Sequence, residues 1–279
     1  MKPKNTKPLK ANPAEKYQQV ADYLQLKYSL RYNELRLVGE FYDEDTGQYK
    51  ELHEFHLNSW FVELKNQGYA VTDQVLNKVT ASNLIPVVNP LRDYFKELPE
   101  WDGKDHIADL ANTIEIEDSD DTDIDTTSLW QQLFRKFLIS AVATALSKKP
   151  GRLCLVLTGP QGKGKSTWLN NLCPDKIRTN YLFIGGLIPK ITEKATIEIL
   201  AEKFIVNLDD QLDSYTWREY EGLKSIITST KLTSRKAYAR NDASRARRAS
   251  VVASTNNPNF LVDTQNRRYL VFTTKNIDY

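Results

Sequence analysis

Cysteine, histidine and methionine are scarce in this chain of 279 residues, at two, three and one copies. Cys154 and Cys173 alone build no disulfide framework, which fits a reducing cytoplasm. His53, His56 and His106 stand without neighbouring cysteines, so they read as structural or exposed residues and not as a zinc site. Long apolar runs are also missing. Nothing approaches the roughly 20 residues that span a bilayer, and no membrane segment is expected. The opening MKPKNTKPLKANPAEKY is basic and proline-rich with no apolar segment behind its charges, which excludes a secretory signal and leaves a disordered basic leader over residues 1–13.

Net charge is nearly absent as well, at +2, but its distribution is uneven. Glu115 to Asp125 holds seven acids and no base, whereas Ser234 to Arg248, SRKAYARNDASRARR, holds six bases against Asp242. The remaining proportions, 41% apolar and 27% charged, are those of a soluble globular protein. The length allows about two domains at roughly 150 residues each.

Residues 14–110 read as a small α+β domain. AEKYQQVADYLQLKY has helical spacing with Val20, Tyr23 and Leu24 on one face, and LRYNELRLVGEFYDEDTGQYKEL alternates like strands around Asp45, Thr46 and Gly47. A helical segment with Trp60, Phe61 and Leu64 follows and breaks at Gly68. The acidic run, 111–127, reads as a flexible linker or exposed loop, since like charges repel and contribute little to a core. Residues 128–279 form the second domain. Its first helix places Leu129, Leu133, Phe137 and Ala141 at i+4 steps. Four short apolar runs then follow, LCLVLT, KFIVNL, ASVVAST and RRYLVFTT, which is how strands of a largely parallel sheet read when both faces are covered. The second domain is expected to be α/β. The chain ends at Tyr279 directly after the last of these runs, as either a natural short form or a fragment of a longer domain would.

The sharpest local pattern is GPQGKGKST: Gly159, Pro160, Gln161, Gly162, Lys163, Gly164, Lys165, Ser166 and Thr167. It fits G-x-x-x-x-G-K-[ST], with an apolar strand entering and a helix leaving, as a phosphate-binding loop requires. Glycines let successive N–H groups turn inward as an anion nest, the helix start adds a favourable dipole, Lys165 reaches the β and γ phosphates, and Ser166 ligates Mg²⁺. ATP and Mg²⁺ are therefore the expected ligands. About 45 residues on, KFIVNLDD ends a strand in two acids. Asp209 is assigned to hold the metal through water and Asp210 to activate the attacking water, the bland alternative being a pair of helix-capping acids. Asn256, at the polar tip of ASVVASTN, is a candidate γ-phosphate sensor or else a turn residue. Arg267 and Arg268 enter the fourth strand, where an arginine reaching a neighbouring subunit's γ-phosphate would stabilise the transition state and imply a ring.

The basic stretch lies between the aspartates and Asn256. As a solvated surface it would mean little. As a hairpin lining a channel, Arg235, Lys236, Arg240 and Arg245 would track the backbone of single-stranded DNA, and Tyr238 would either stack on a base or pack within the hairpin. Arg247 and Arg248, at the root of the next strand, are expected to face nucleotide or a neighbouring subunit.

The order GPQGKGKST, VNLDDQLD, basic stretch, ASTNNPNFLVDTQNRRYLVF resembles the virulence-associated protein E family, ATPases of phages, mobile elements and pathogenicity islands related to superfamily 3 helicases and the AAA+ class. Trp101, Asp102 and Gly103 echo a motif that family carries ahead of its ATPase domain, and Thr255, Asn256, Leu261, Asp263, Asn266, Arg267 and Arg268 form its more specific terminal pattern. The resemblance covers roughly residues 86 to 274. It implies an ATP-dependent helicase or translocase acting on single-stranded or forked DNA during replication of a mobile element, as a homo-oligomer, a hexameric ring. The chain departs from many relatives in carrying Asn207 where they have a glutamate. The other reading is a nucleotide-regulated initiator or DNA-binding module without unwinding activity. The few bases between residues 52 and 92, Lys65, Lys78 and Arg92, argue against a strong DNA-reading surface there.

Overall fold

In the computed structural model, the described residues are 13–119, 121, 123–186, 193–234, 243–257, 260 and 267–278. They fall into two compact units, Met1–Asp93 and Tyr94–Tyr279. The leader expected over 1–13 lies outside the described residues except for Pro13.

In the first unit, α1 (Pro13–Tyr28) is followed by β1 (Arg31–Asn33), β2 (Val38–Asp43) and β3 (Gln48–Glu51), then α2 (Glu54–Asn66), α3 (Asp73–Thr80) and β4 (Val87–Val88). The sheet order is β3-β2-β1-β4, with only β4 parallel to its neighbour. Its core includes most of the faces read from spacing, Val20 and Leu24 on α1 and Trp60 and Leu64 on α2, with Tyr23 and Phe61 only partly buried against it, and it adds Val75, Leu76 and Val79 on α3. Gly68 ends the first helical run, and Thr72 restarts the next by accepting the Val75 amide at 3.3 Å. The division between units falls within α4 (Pro90–Lys96), earlier than the boundary at 110 read from the sequence. The Trp101-Asp102-Gly103 turn thus belongs to the second unit, where the Trp101 indole donates to the Lys104 carbonyl at 2.7 Å.

The second unit continues with α5 (His106–Ala111), β5 (Ile114–Ile116), α6 (Thr126–Ala145), β6 (Cys154–Thr158), α7 (Lys165–Asn171), α8 (Asp175–Tyr181), β7 (Leu182–Ile184), α9 (Lys194–Glu202) and β8 (Ile205–Asp209). A 3₁₀ turn (Leu212–Ser214), α10 (Trp217–Thr228), the hairpin strands β9 (Lys231–Ser234) and β10 (Ala243–Ala246), β11 (Ser250–Thr255) and β12 (Tyr269–Ile277) complete it. Its main sheet has the order β5-β12-β6-β11-β8-β7 and is parallel from β12 to β7. Cys154, Leu155, Val156 and Leu157 have no exposed surface, as a strand covered on both faces demands. The unit is mixed α/β.

Two expectations need correction. The acidic stretch is not simply a linker: Ile114 and Ile116 face inward around Glu115 and pair β5 antiparallel with β12, while Asp125 caps α6 by accepting the Ser128 amide at 2.9 Å. Among its acids, Asp118 pairs with Lys275 at 2.9 Å. The buried stripe of α6 is Trp130, Phe134, Phe137 and Ala141, whereas Leu129 is 39% exposed. Strict i+4 steps drift by about 40° each on a 3.6-residue helix, so the series starts off the core face at Leu129 and reaches it only at Phe137 and Ala141.

Candidate active site

Because β6, β8 and β11 run parallel, their C-terminal ends gather at one end of the sheet. Gly159 leaves β6 with φ +133, and a Cβ there would come within 2.8 Å of the Thr274 carbonyl, so only glycine lets the chain turn this closely against β12. Gly164, with φ 80, then starts α7. The loop from Gln161 to Thr167, together with Asp210 and Asn256, walls a cavity of about 380 Å³.

Lys165 is the most constrained side chain here. The residue is 5% exposed, and its ammonium donates to Gly159 O and Pro160 O at 2.8 Å each and to Asn256 Oδ1 at 3.0 Å. Burial lowers its pKa, and the charges of Asp210 and Asp209 partly offset this. Ser166 Oγ donates to Asp209 Oδ1, which also accepts from Ser254 Oγ at 2.7 Å. Asp209 therefore sits one step behind the cavity wall, reached through Ser166. Asp210 is exposed on that wall with φ +49, a left-handed backbone that is uncommon outside glycine, and its amide donates to Ser254 O at 3.2 Å.

Asn207 lies below this layer, fully buried. Its amide donates to Asn170 Oδ1 at 2.8 Å, bracing β8 against α7. Thr255, also fully buried, donates to the carboxylate of Asp213 and accepts the Asn257 amide at 3.0 Å. The sequence reading missed Asp213; the only available signal was a third acid in LDDQLD. No group of three or more histidine, cysteine or acidic side chains could hold a metal among the described residues. The Ser166 and Asp209 pair still fits Mg²⁺, which takes one or two protein oxygens and completes its shell with phosphate and water.

The structure does not bring the other expected residues to this end of the sheet. Tyr269 pairs with Cys154, so Arg267 and Arg268 stand at the opposite end of β6, exposed and half-buried respectively. The strands between them and Gly159 span roughly 16 Å at 3.3 Å per residue. Arg235, Lys236, Tyr238 and Arg240 lie outside the described residues, between β9 and β10. Arg245, on β10, is half-buried against Glu202 at 3.6 Å, so it is a hairpin-root contact and not an open cation.

Arg247 and Arg248 do not face the cavity. Arg247 is 2% exposed and donates to the carbonyls of Ser229 at 2.8 Å, Ala249 at 2.6 Å and Gly151. Arg248 donates to Ala145 O at 2.8 Å. Their side chains tie the hairpin to the end of α6, the approach to β6 and the end of α10. From that root β11 runs directly to Asn256.

No helix among the described residues is long and apolar enough to cross a membrane. No curated protein matches the chain. Among solved structures, the apo C-terminal region of NrS-1 (305–718) is similar at a TM-score of 0.56 and 13% identity, covering 94% of this chain and 63% of that one. An A-form apo structure of the same region gives a TM-score of 0.52 at 14% identity, covering 94% and 62%. The likeness is one of fold, and this chain spans less than two thirds of that region's length. Residues 95–279 match the virulence-associated protein E-like domain, and the chain belongs to that family.

Proposed function

We propose that the second unit is a P-loop ATPase of the AAA+ and superfamily 3 helicase-like class, driving a helicase or translocase on single-stranded or forked DNA in the replication of a phage or mobile element. The observation that carries this reading is the convergence of Lys165, the Ser166–Asp209 pair, Asp210 and Asn256 around one glycine-lined cavity at the C-terminal ends of parallel strands. Ligands of open α/β sheets bind at such strand ends. The order β12-β6-β11-β8-β7, with the loop-bearing strand between β12 and β11, supports the same class.

In this reading Lys165 gives up carbonyl contacts to meet the β and γ phosphates of ATP, and inward N–H groups of the loop share their charge. Mg²⁺, when bound, neutralises charge on the phosphate oxygens. Ser166 and Asp209 would hold it, Asp209 through water. Asp210 orients the attacking water and accepts its proton, while Asn256 donates its amide to the γ-phosphate and that water. Arg267 and Arg268, at the far end of the sheet from this subunit's cavity, would serve a neighbour's nucleotide in a ring. Arg235, Lys236, Tyr238 and Arg240, between β9 and β10, contact the DNA backbone and bases.

The deciding experiment measures ATP hydrolysis with and without single-stranded DNA, together with particle mass in the presence of nucleotide. DNA-stimulated turnover in a ring-sized particle is expected. Nucleotide-dependent assembly without turnover would replace the motor with a regulatory module.

A further inference from the structure

Thr255 and Asp213 bracket the candidate sensor without touching the cavity. Thr255 Oγ1 lies 2.9 and 2.8 Å from the two oxygens of Asp213 and receives the Asn257 amide at 3.0 Å. A carboxylate only accepts, so the single hydroxyl proton must point to Asp213, which turns the oxygen's lone pairs toward the Asn257 N–H. That one hydroxyl thus fixes the backbone on both sides of Asn256. The platform beneath it is rigid: Leu212 is fully buried, and its carbonyl accepts from the Tyr220 hydroxyl at 2.7 Å.

Among the described residues, Thr255 is the side chain that hydrogen-bonds the Asp213 carboxylate. The start of α10 is capped by Thr216 and Glu219, the latter accepting the Thr216 amide at 2.7 Å. The cavity is walled by Asp210 and not by Asp213. Asp213 follows Asp210 by three positions, and the Asp210 amide is bonded to Ser254 O at 3.2 Å. Two bridges therefore join the tip of β8 to the tip of β11.

We infer that Asp213 is a positioning residue: through Thr255 it locks Asn256 to the turn carrying Asp210, so that the two groups handling the attacking water keep one geometry. This rests on the ATPase reading above. Misplacing a reacting group by an ångström lowers turnover on the order of a hundredfold while leaving substrate affinity to contacts made elsewhere.

The test is steady-state ATP hydrolysis by the whole chain carrying Asp213→Ala, Thr255→Val, Thr255→Ser or the first two combined, with binding of a fluorescent ATP analogue and thermal unfolding measured alongside. Asp213→Ala removes the acceptor and Thr255→Val the donor, and each is expected to lower kcat by about tenfold to a hundredfold, with KM and analogue binding within roughly twofold. Thr255→Ser keeps the hydroxyl and should restore kcat to within about threefold of the parent, and the double variant should be no worse than the weaker single one, as for members of one bridge. Asp213 is exposed, so Asp213→Ala remains informative if Thr255→Val fails to fold. Unchanged kcat in Asp213→Ala, fully additive losses, or collapse of turnover in Asp213→Ala with Thr255→Val active would each overturn the inference. A parent protein that does not hydrolyse ATP would instead overturn the reading beneath it.

Discussion

The Lys165 ammonium donates to the side-chain oxygen of Asn256 at 3.0 Å, joining the loop after β6 to the tip of β11. Lys165→Ala removes both this bridge and the charge that would meet phosphate in the proposed ATPase. Turnover is expected to fall by at least about 10² to 10³. Burial lowers the pKa of Lys165 from the ordinary lysine value of 10.5, and the charged form is the working one. Activity should therefore decline as pH rises through a value below 10.5. Hydrolysis that survives Lys165→Ala, or a flat alkaline limb, would dismiss the assignment.

Ser166 and Asp209 share a hydrogen bond where Mg²⁺ would be held. Asp209→Asn leaves the shape and removes the charge. A metal interaction of several kcal/mol corresponds to on the order of 10² to 10³ in rate, so turnover should fall by that factor and require more Mg²⁺. A Mg²⁺ titration that matches the parent would rule Asp209 out.

The basic hairpin divides into two groups. Neutralising Arg235 and Arg240 should weaken single-strand binding and reduce the slope of log affinity against log salt by roughly 0.7 per cation, with basal hydrolysis retained. Arg245 already faces Glu202, and Arg245→Ala should leave that slope nearly unchanged. Equal salt effects from all three would contradict the division.

Arg247 is a buried guanidinium, brought down by burial to about 10 and so charged at neutral pH. Its acceptors are backbone carbonyls. Arg247→Met leaves them without that donor, and at about 1 to 3 kcal/mol for a buried unsatisfied group the variant should lose roughly 3 kcal/mol of stability in urea unfolding. An unshifted midpoint would show that the hairpin root does not depend on it.

Arg267 and Arg268 are testable by mixing. Arg267→Ala or Arg268→Ala subunits combined with Lys165→Ala subunits should recover part of the turnover if each mutant supplies what the other lacks. Recovery in no mixture, with assembly intact by mass, would remove the trans role.

The four long strands and the loop were legible because their signals are local: apolar runs of five or six residues and a fixed glycine and lysine spacing. Strands β5 and β7 have three residues each, too few for a period to emerge, and the acids around Ile114 and Ile116 masked the first. Charge misled at the hairpin root. Arginines at the root of a strand read as groups facing nucleotide or a neighbouring subunit, and nothing in the sequence says that carbonyls of Ser229 and Gly151, from two other segments, and of neighbouring Ala249 surround Arg247. The bond between Asp213 and Thr255 crosses 42 positions, a distance over which no pattern reaches.

Strand β6 lies in the sheet between β11 and β12, both made long after it: the Thr158 hydroxyl donates to Phe272 O across 114 positions. Such separation makes closure slow, since loop entropy is lost before distant pairings form. The turn at Gly159 packs against Thr274. During synthesis, then, the glycine-rich loop emerges before the strand its first turn packs against, so a nascent chain lacking β12 has the motif without the Thr274 contact.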